Sequence, residues 1–83
     1  MLGVLILTQE NCAFCDSART MLERLAGEYP LSISTLSLES AAGQELAEKG
    51  GVLFPPGIFL DGEPCCYGRP SEGRLRREIE RRL

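Results

Sequence analysis

The chain contains no histidine among its 83 residues. A zinc site built on imidazole nitrogens is therefore excluded. Long hydrophobic runs are also missing. The apolar stretch from Leu2 to Leu7 falls far short of the about 18 residues needed to cross a bilayer. It is also too short for the core of a secretory signal, and no basic segment precedes it. These absences predict a cytoplasmic protein with no membrane partner. An excess of positive charge is lacking too: 12 acidic residues face 9 basic ones, for a net charge of −3. Nothing in that balance favours nucleic acid or an anionic surface. Internal repeats, low-complexity tracts and linkers are absent, so residues 1–83 are expected to form one domain. A chain this short buries a modest fraction of its surface. Its 43% hydrophobic and 25% charged residues nevertheless argue against disorder.

Against those absences stand four cysteines, in two pairs. Cys12 and Cys15 are separated by Ala13 and Phe14, while Cys65 and Cys66 are adjacent. Neither spacing suits the stapling of distant parts of a fold. Without a secretion signal, catalytic or metal chemistry is the better reading.

The pattern around them is alternating strand and helix. Leu2 to Thr8 is a nearly continuous branched apolar run, suited to a central strand buried on both faces. A helical pattern follows from about Cys12, with Cys15, Ala18, Leu22, Leu25 and Ala26 on one face and Gly27 as its stop. Leu31 to Leu38 reads as a second strand. Its apolar alternation slips phase between Ile33 and Leu36, which predicts a bulge or a change of face. Ser40 caps a short helix that ends at Gly50-Gly51, with a thin apolar face of Ala42, Leu46 and Ala47. Ile58 to Leu60 forms a third strand, and Asp61-Gly62 is a two-residue hairpin turn leading to a fourth over Glu63 to Tyr67. Counting back from that turn sets Ile58 opposite Cys65 and Gly57 opposite Cys66. Alternation along the strand then sends the two thiols to opposite faces. Ser71 caps the last helix, with Leu75, Ile79 and Leu83 on its buried side. Right-handed crossover of the first two strands completes an α/β fold: strand, helix, strand, helix, hairpin, helix, with a four-stranded mixed sheet flanked by three helices.

Cys12 follows a buried strand and opens a helix. Unpaired amide N–H groups and the positive end of the helix dipole stabilise a thiolate there. They lower its pKa from about 8.5 toward neutrality. Three residues on, Cys15 lies within disulfide reach and can release whatever Cys12 captures. Half of a thiolate zinc site would show the same spacing, but Cys65-Cys66 is a poor second half. The adjacent pair itself reads as two small core residues, or as partners of Cys12 in a redox relay or metal site. The arginines at positions 74, 76, 77, 81 and 82 alternate with Glu72, Glu78 and Glu80, as on a solvated, ion-paired helix face or a docking patch.

The order of elements, the C-x-x-C at the first strand–helix junction, and Pro56-Gly57-Ile58-Phe59 opening the third strand resemble a glutaredoxin of the thioredoxin-like superfamily along essentially the whole chain. The resemblance implies a disulfide oxidoreductase with Cys12 as nucleophile and Cys15 as resolving thiol. It implies a cis-proline facing Cys12, at Pro56 with Pro55 as competitor. Phe14, Pro55, Pro56 and Gly57 would shape an apolar substrate groove, and Gly68 would survive from a glycine pair that contacts substrate. No cofactor is implied beyond glutathione as a co-substrate. The expected partners are protein disulfides or a low-molecular-weight thiol, together with a cellular disulfide reductase, the protein itself acting as a monomer. Rival readings are an iron–sulfur or metal carrier and a redox-inactive adaptor.

Three departures from the glutaredoxin pattern bear on glutathione. Gln9, beside Glu10, stands where the family has a lysine. Pro55 precedes the expected cis-proline and has no N–H to offer. Tyr67-Gly68-Arg69-Pro70-Ser71 replaces a glycine pair followed by acidic residues, and Arg69 either binds a carboxylate or pairs with a local acid. Together they argue against ordinary glutathione binding.

Overall fold

A computed structural model describes residues Met1–Leu83. Its elements are β1 (Leu2–Thr8), α1 (Ala13–Leu25), β2 (Leu31–Ser37), α2 (Ala41–Gly50), β3 (Gly57–Leu60), β4 (Glu63–Tyr67) and α3 (Glu72–Arg82). The sheet runs in the order β2-β1-β3-β4. β1 is parallel to β2 and antiparallel to β3, and β3 is antiparallel to β4. This is the mixed sheet with three helices that the sequence pattern predicts.

The pleat of β1 divides the core. Leu2, Val4 and Ile6 point to one face, where Ile58 and Leu60 join them beneath Ala18, Leu22 and Leu25 of α1 and Leu75 and Ile79 of α3. Leu7 points the other way and meets Phe59 and Ala47 of α2. Both faces of β1 and β3 are thus covered, which is why these two strands read as unbroken apolar runs. Each aliphatic side chain buried in this way contributes about 1.5–3 kcal/mol.

β2 resolves the predicted phase slip as a change of face. Its register with β1 runs unbroken from Leu31 opposite Leu2 to Ser37 opposite Thr8. Leu31 and Ile33 pack on the α1 side, while Leu36, with Leu38 beyond the strand, packs on the α2 side. An edge strand touching two different helices needs no bulge to bury both halves.

Two helices depart from the expected faces. α2 buries Gly43 and Ala47, with Leu46 half-buried, whereas Ala42 is exposed. A Cβ at Gly43 would collide with the carbonyl oxygen of Ser37, and one at Gly50 would stand 2.7 Å from the Phe59 ring. Glycines therefore let this helix approach the sheet closely. In α3, Leu75 and Ile79 are fully buried but Leu83 is 55% exposed. Leu83 lies one residue past the helix end and does not continue the buried stripe.

The hairpin carries the largest correction. Asp61 (φ 49°) and Gly62 (φ 83°) form the turn, and Leu60 faces Glu63 and Phe59 faces Pro64 as expected. Beyond them the register shifts by one, so Ile58 faces Cys66 and Gly57 faces Tyr67. Cys65 is the extra residue of a bulge. The two thiols therefore do not point to opposite faces: both pack against the larger core cluster.

Candidate active site

Antiparallel pairing of Leu7 with Gly57 sets the end of β1 beside the start of β3. Pairing of Gly57 with Tyr67 brings the end of β4 to the same place. One end of the sheet thus collects the loop carrying Cys12, the Pro55-Pro56 turn and Gly68.

The loop after β1 turns through Asn11, whose φ of 55° lies in the left-handed region that asparagine tolerates better than most residues. Cys12 then caps α1 with extended backbone, φ −116° and ψ 102°. Its carbonyl accepts from the N–H groups of Cys15 at 3.1 Å and Asp16 at 3.2 Å. Its sulfur accepts from the Cys15 N–H at 3.1 Å. A cysteine sulfur thus takes the position that a serine or aspartate oxygen usually holds at a helix start. Cys12 and Cys15 are joined as a disulfide, with Cα atoms 5.2 Å apart. Cys12 is half-buried, whereas Cys15 is only 4% exposed. Of the two cysteines, the less buried one, Cys12, also accepts the backbone hydrogen bond.

The Pro55–Pro56 bond is cis, so Pro56 is the cis residue. Its carbonyl accepts the N–H of Gly68 at 2.8 Å. Pro56 and Gly57 are buried and Pro55 half-buried. Phe14 stands 44% exposed in the first turn of α1. Gly68 has φ 80° and lies under the Phe54 ring, which meets Tyr67 edge-on with centroids 5.2 Å apart. Leu53 and Phe54, exposed with Tyr67, are apolar residues beyond those that the sequence pattern assigns to the site. Their signal was available: Leu53-Phe54 is an apolar pair before Pro55-Pro56, outside any strand.

Other predicted residues behave differently. Arg69 is exposed and forms no ion pair, so pairing with a local acid is not realised. A cleft of about 310 Å³ beside Cys15 is walled by Gln9, Glu10, Asp16 and Arg19. The C-terminal arginines are largely ion-paired: Arg76 with Glu28 and Glu72, Arg81 with Glu78, and Arg82 with Glu78 and Glu63. Cys66 faces Ile58, one position further from the Pro55-Pro56 turn than the hairpin count predicted. No three cysteine, aspartate or glutamate side chains are grouped to hold a metal ion, and no helix is long and apolar enough to cross a membrane.

A C-x-x-C disulfide capping the helix that follows the first strand, on a sheet of this order, defines a thiol–disulfide oxidoreductase of thioredoxin-like fold. Comparison with known proteins bears this out. The chain is 24% identical over 78 residues to thioredoxin of Methanocaldococcus jannaschii, covering 94% of this chain and 92% of that one. It is 25% identical over 81 residues to a probable thioredoxin of Archaeoglobus fulgidus, covering 98% and 89%. Among solved structures, a point mutant of thioredoxin from Halobacterium salinarum superposes with a TM-score of 0.74 at 24% identity, over 96% of this chain and 73% of that one. Oxidised thioredoxin from Plasmodium falciparum gives 0.69 at 17% identity, over 98% and 80%. No family model matches the chain. The resemblance to glutaredoxins thus holds at the level of the thioredoxin-like superfamily, and the relatives found are thioredoxins.

Proposed function

We propose that the protein reduces disulfides by dithiol exchange, with Cys12 as attacking thiol and Cys15 as resolving thiol, on protein or small non-glutathione disulfides. The observation that carries this reading is the asymmetry of the pair. Cys12 is the less buried residue, and its sulfur accepts the Cys15 N–H. In the reduced protein the same N–H and the α1 dipole favour a thiolate at Cys12.

That thiolate attacks one sulfur of the substrate disulfide, forming a mixed disulfide and expelling the other half as a thiolate. Cys15 loses its proton and attacks the Cys12 sulfur. The second half of the substrate leaves reduced, and the Cys12–Cys15 bond closes. The electrons reside on two sulfurs throughout, so the exchange calls for no cofactor. A reductase or low-molecular-weight thiol of a reducing compartment such as the cytoplasm then reopens the bond.

Phe14, Pro55, Pro56, Gly57 and Gly68 form the proposed substrate groove, with Leu53 and Phe54 as its outer apolar rim. Such a surface suits an extended protein segment. Glu10 and Asp16 beside the Cys15 cleft oppose the carboxylates of glutathione, and Pro55 offers no N–H to a bound thiol peptide.

The test is substrate trapping with Cys15→Ser, which captures partners but cannot release them. Recovery of proteins in mixed disulfide with Cys12 is the expected result. Recovery of glutathione alone on Cys12 would overturn the substrate assignment, and recovery of nothing on Cys12 would overturn its role.

A further inference from the structure

Cys65 and Cys66 lie outside the exchange just described. The bulge at Cys65 turns both side chains toward the same cluster of core residues, leaving each half-buried. Beside them at the sheet edge opens a cleft of about 360 Å³, walled also by Gly50, Val52, Tyr67 and Arg74. The Arg74 guanidinium donates through Nη2 to the Cys65 carbonyl at 3.1 Å. Unlike Arg76, Arg81 and Arg82, it has no carboxylate partner. A nucleophile, a cavity and an unneutralised cation thus converge on one place.

We propose that Cys65 is a second thiol-exchange site, taking up small acidic disulfides as a mixed disulfide in this cleft, with Arg74 receiving their carboxylate. The step balances without a further reagent. The Cys65 thiolate attacks one sulfur, a new bond joins that sulfur to Cys65, and the old disulfide bond breaks. The departing half leaves with the electron pair and takes a proton from water. Cys65 is oxidised and that half is reduced.

The surroundings favour ionisation of Cys65. The Cys66 thiol next to it lowers it to about 7 against the opposing effects of burial and the Glu78 carboxylate. Arg82 and Arg74 add smaller pulls in the same direction. Cys66 is pushed up by its neighbour and by burial, so the pair gives up one proton early and holds the other. Neither sulfur of the Cys12–Cys15 pair takes part, and the two sites stand or fall separately.

The test uses protein with the Cys12–Cys15 disulfide closed. Oxidised glutathione serves as the acidic probe and bis(hydroxyethyl) disulfide as the neutral one, with adducts followed by intact mass and peptide mapping. The first adduct is expected on Cys65, and it disappears in Cys65→Ser. Its rate should rise with a midpoint at about 7, below the about 8.5 of an ordinary thiol, and Cys66→Ala should move that midpoint upward. Arg74→Gln, an exposed change, should lower the ratio of acidic to neutral rates roughly two- to fivefold, the effect of one exposed charge pair. Onward closure to a Cys65–Cys66 disulfide supports the proposal where the mixed disulfide that precedes it maps to Cys65, and counts against it where that adduct maps to Cys66. An adduct on Cys66 first, no adduct at all, or an unchanged rate ratio in Arg74→Gln would overturn it.

Discussion

The N–H of Gly68 donates to the carbonyl of Pro56 at 2.8 Å, tying the loop after β4 to the turn that faces the C-x-x-C end of the sheet. Gly68 holds φ 80° to do so, a conformation that costs a side-chain-bearing residue about 1–2 kcal/mol. A Cβ there would also stand 2.6 Å from the Phe54 ring. Gly68→Ala should therefore destabilise the protein by about 1–2 kcal/mol in urea unfolding and raise KM for a disulfide substrate. Unchanged values of both would show that neither the tie nor the ring position matters.

The same substitution should have opposite signs at two other glycines. Gly43 of α2 lies against the Ser37 carbonyl, a backbone atom that cannot swing aside. Gly43→Ala should cost about 1–3 kcal/mol as overpacking, outweighing its gain in helix propensity. Gly73 in α3 has nothing nearer a Cβ than Arg77 Nη1 at 3.7 Å. Gly73→Ala should stabilise by up to about 1 kcal/mol. Parallel thermal melts of the two variants check the sign directly.

These glycines mark a boundary of what the sequence discloses. β1, α1 and the cap at Cys12 were legible because each is specified locally: a branched apolar run, a three- and four-residue stripe, a thiol at a strand–helix junction. The cis-proline was legible only through resemblance to a family. The face of α2 was not legible. Ala42 looks apolar and Gly43 looks like a helix breaker, yet closeness to Ser37 selects the glycine for the buried side. The bulge at Cys65 was hidden for a related reason. A turn fixes the first pairs of a hairpin, but the later register depends on what the strand must cover, here a second thiol against the core.

Glu78 sets a pH dependence. Hydrogen bonds from Arg81 at 2.8 Å and Arg82 at 2.6 Å hold its carboxyl down at about 2, below the ordinary 4.5. A carboxyl depressed on folding contributes stability that is fully present above its unfolded pKa and is lost as pH falls through the folded one. The contribution should therefore fade between pH 4.5 and about 2. Its exposure to solvent keeps it small. Glu78→Gln should lower stability slightly at neutral pH and flatten the acid limb of a stability–pH curve. Parallel curves for the two proteins would remove the ion pairs from the account of acid unfolding.

Pro55 offers the most direct probe of how substrate lies on the site. Pro55 lines the proposed groove, and a proline there has a carbonyl but no N–H to offer a peptide running along it. Pro55→Ala restores the donor while leaving Pro56 and the C-x-x-C pair untouched. One added backbone hydrogen bond contributes about 0.5–1.5 kcal/mol, so KM for a disulfide-containing peptide should fall roughly two- to tenfold. The turnover number should stay nearly constant, because this contact is made equally before and during exchange. Loss of turnover with unchanged KM would instead mean that Pro55 positions the sulfurs. No change in either would mean that substrate does not run along this turn.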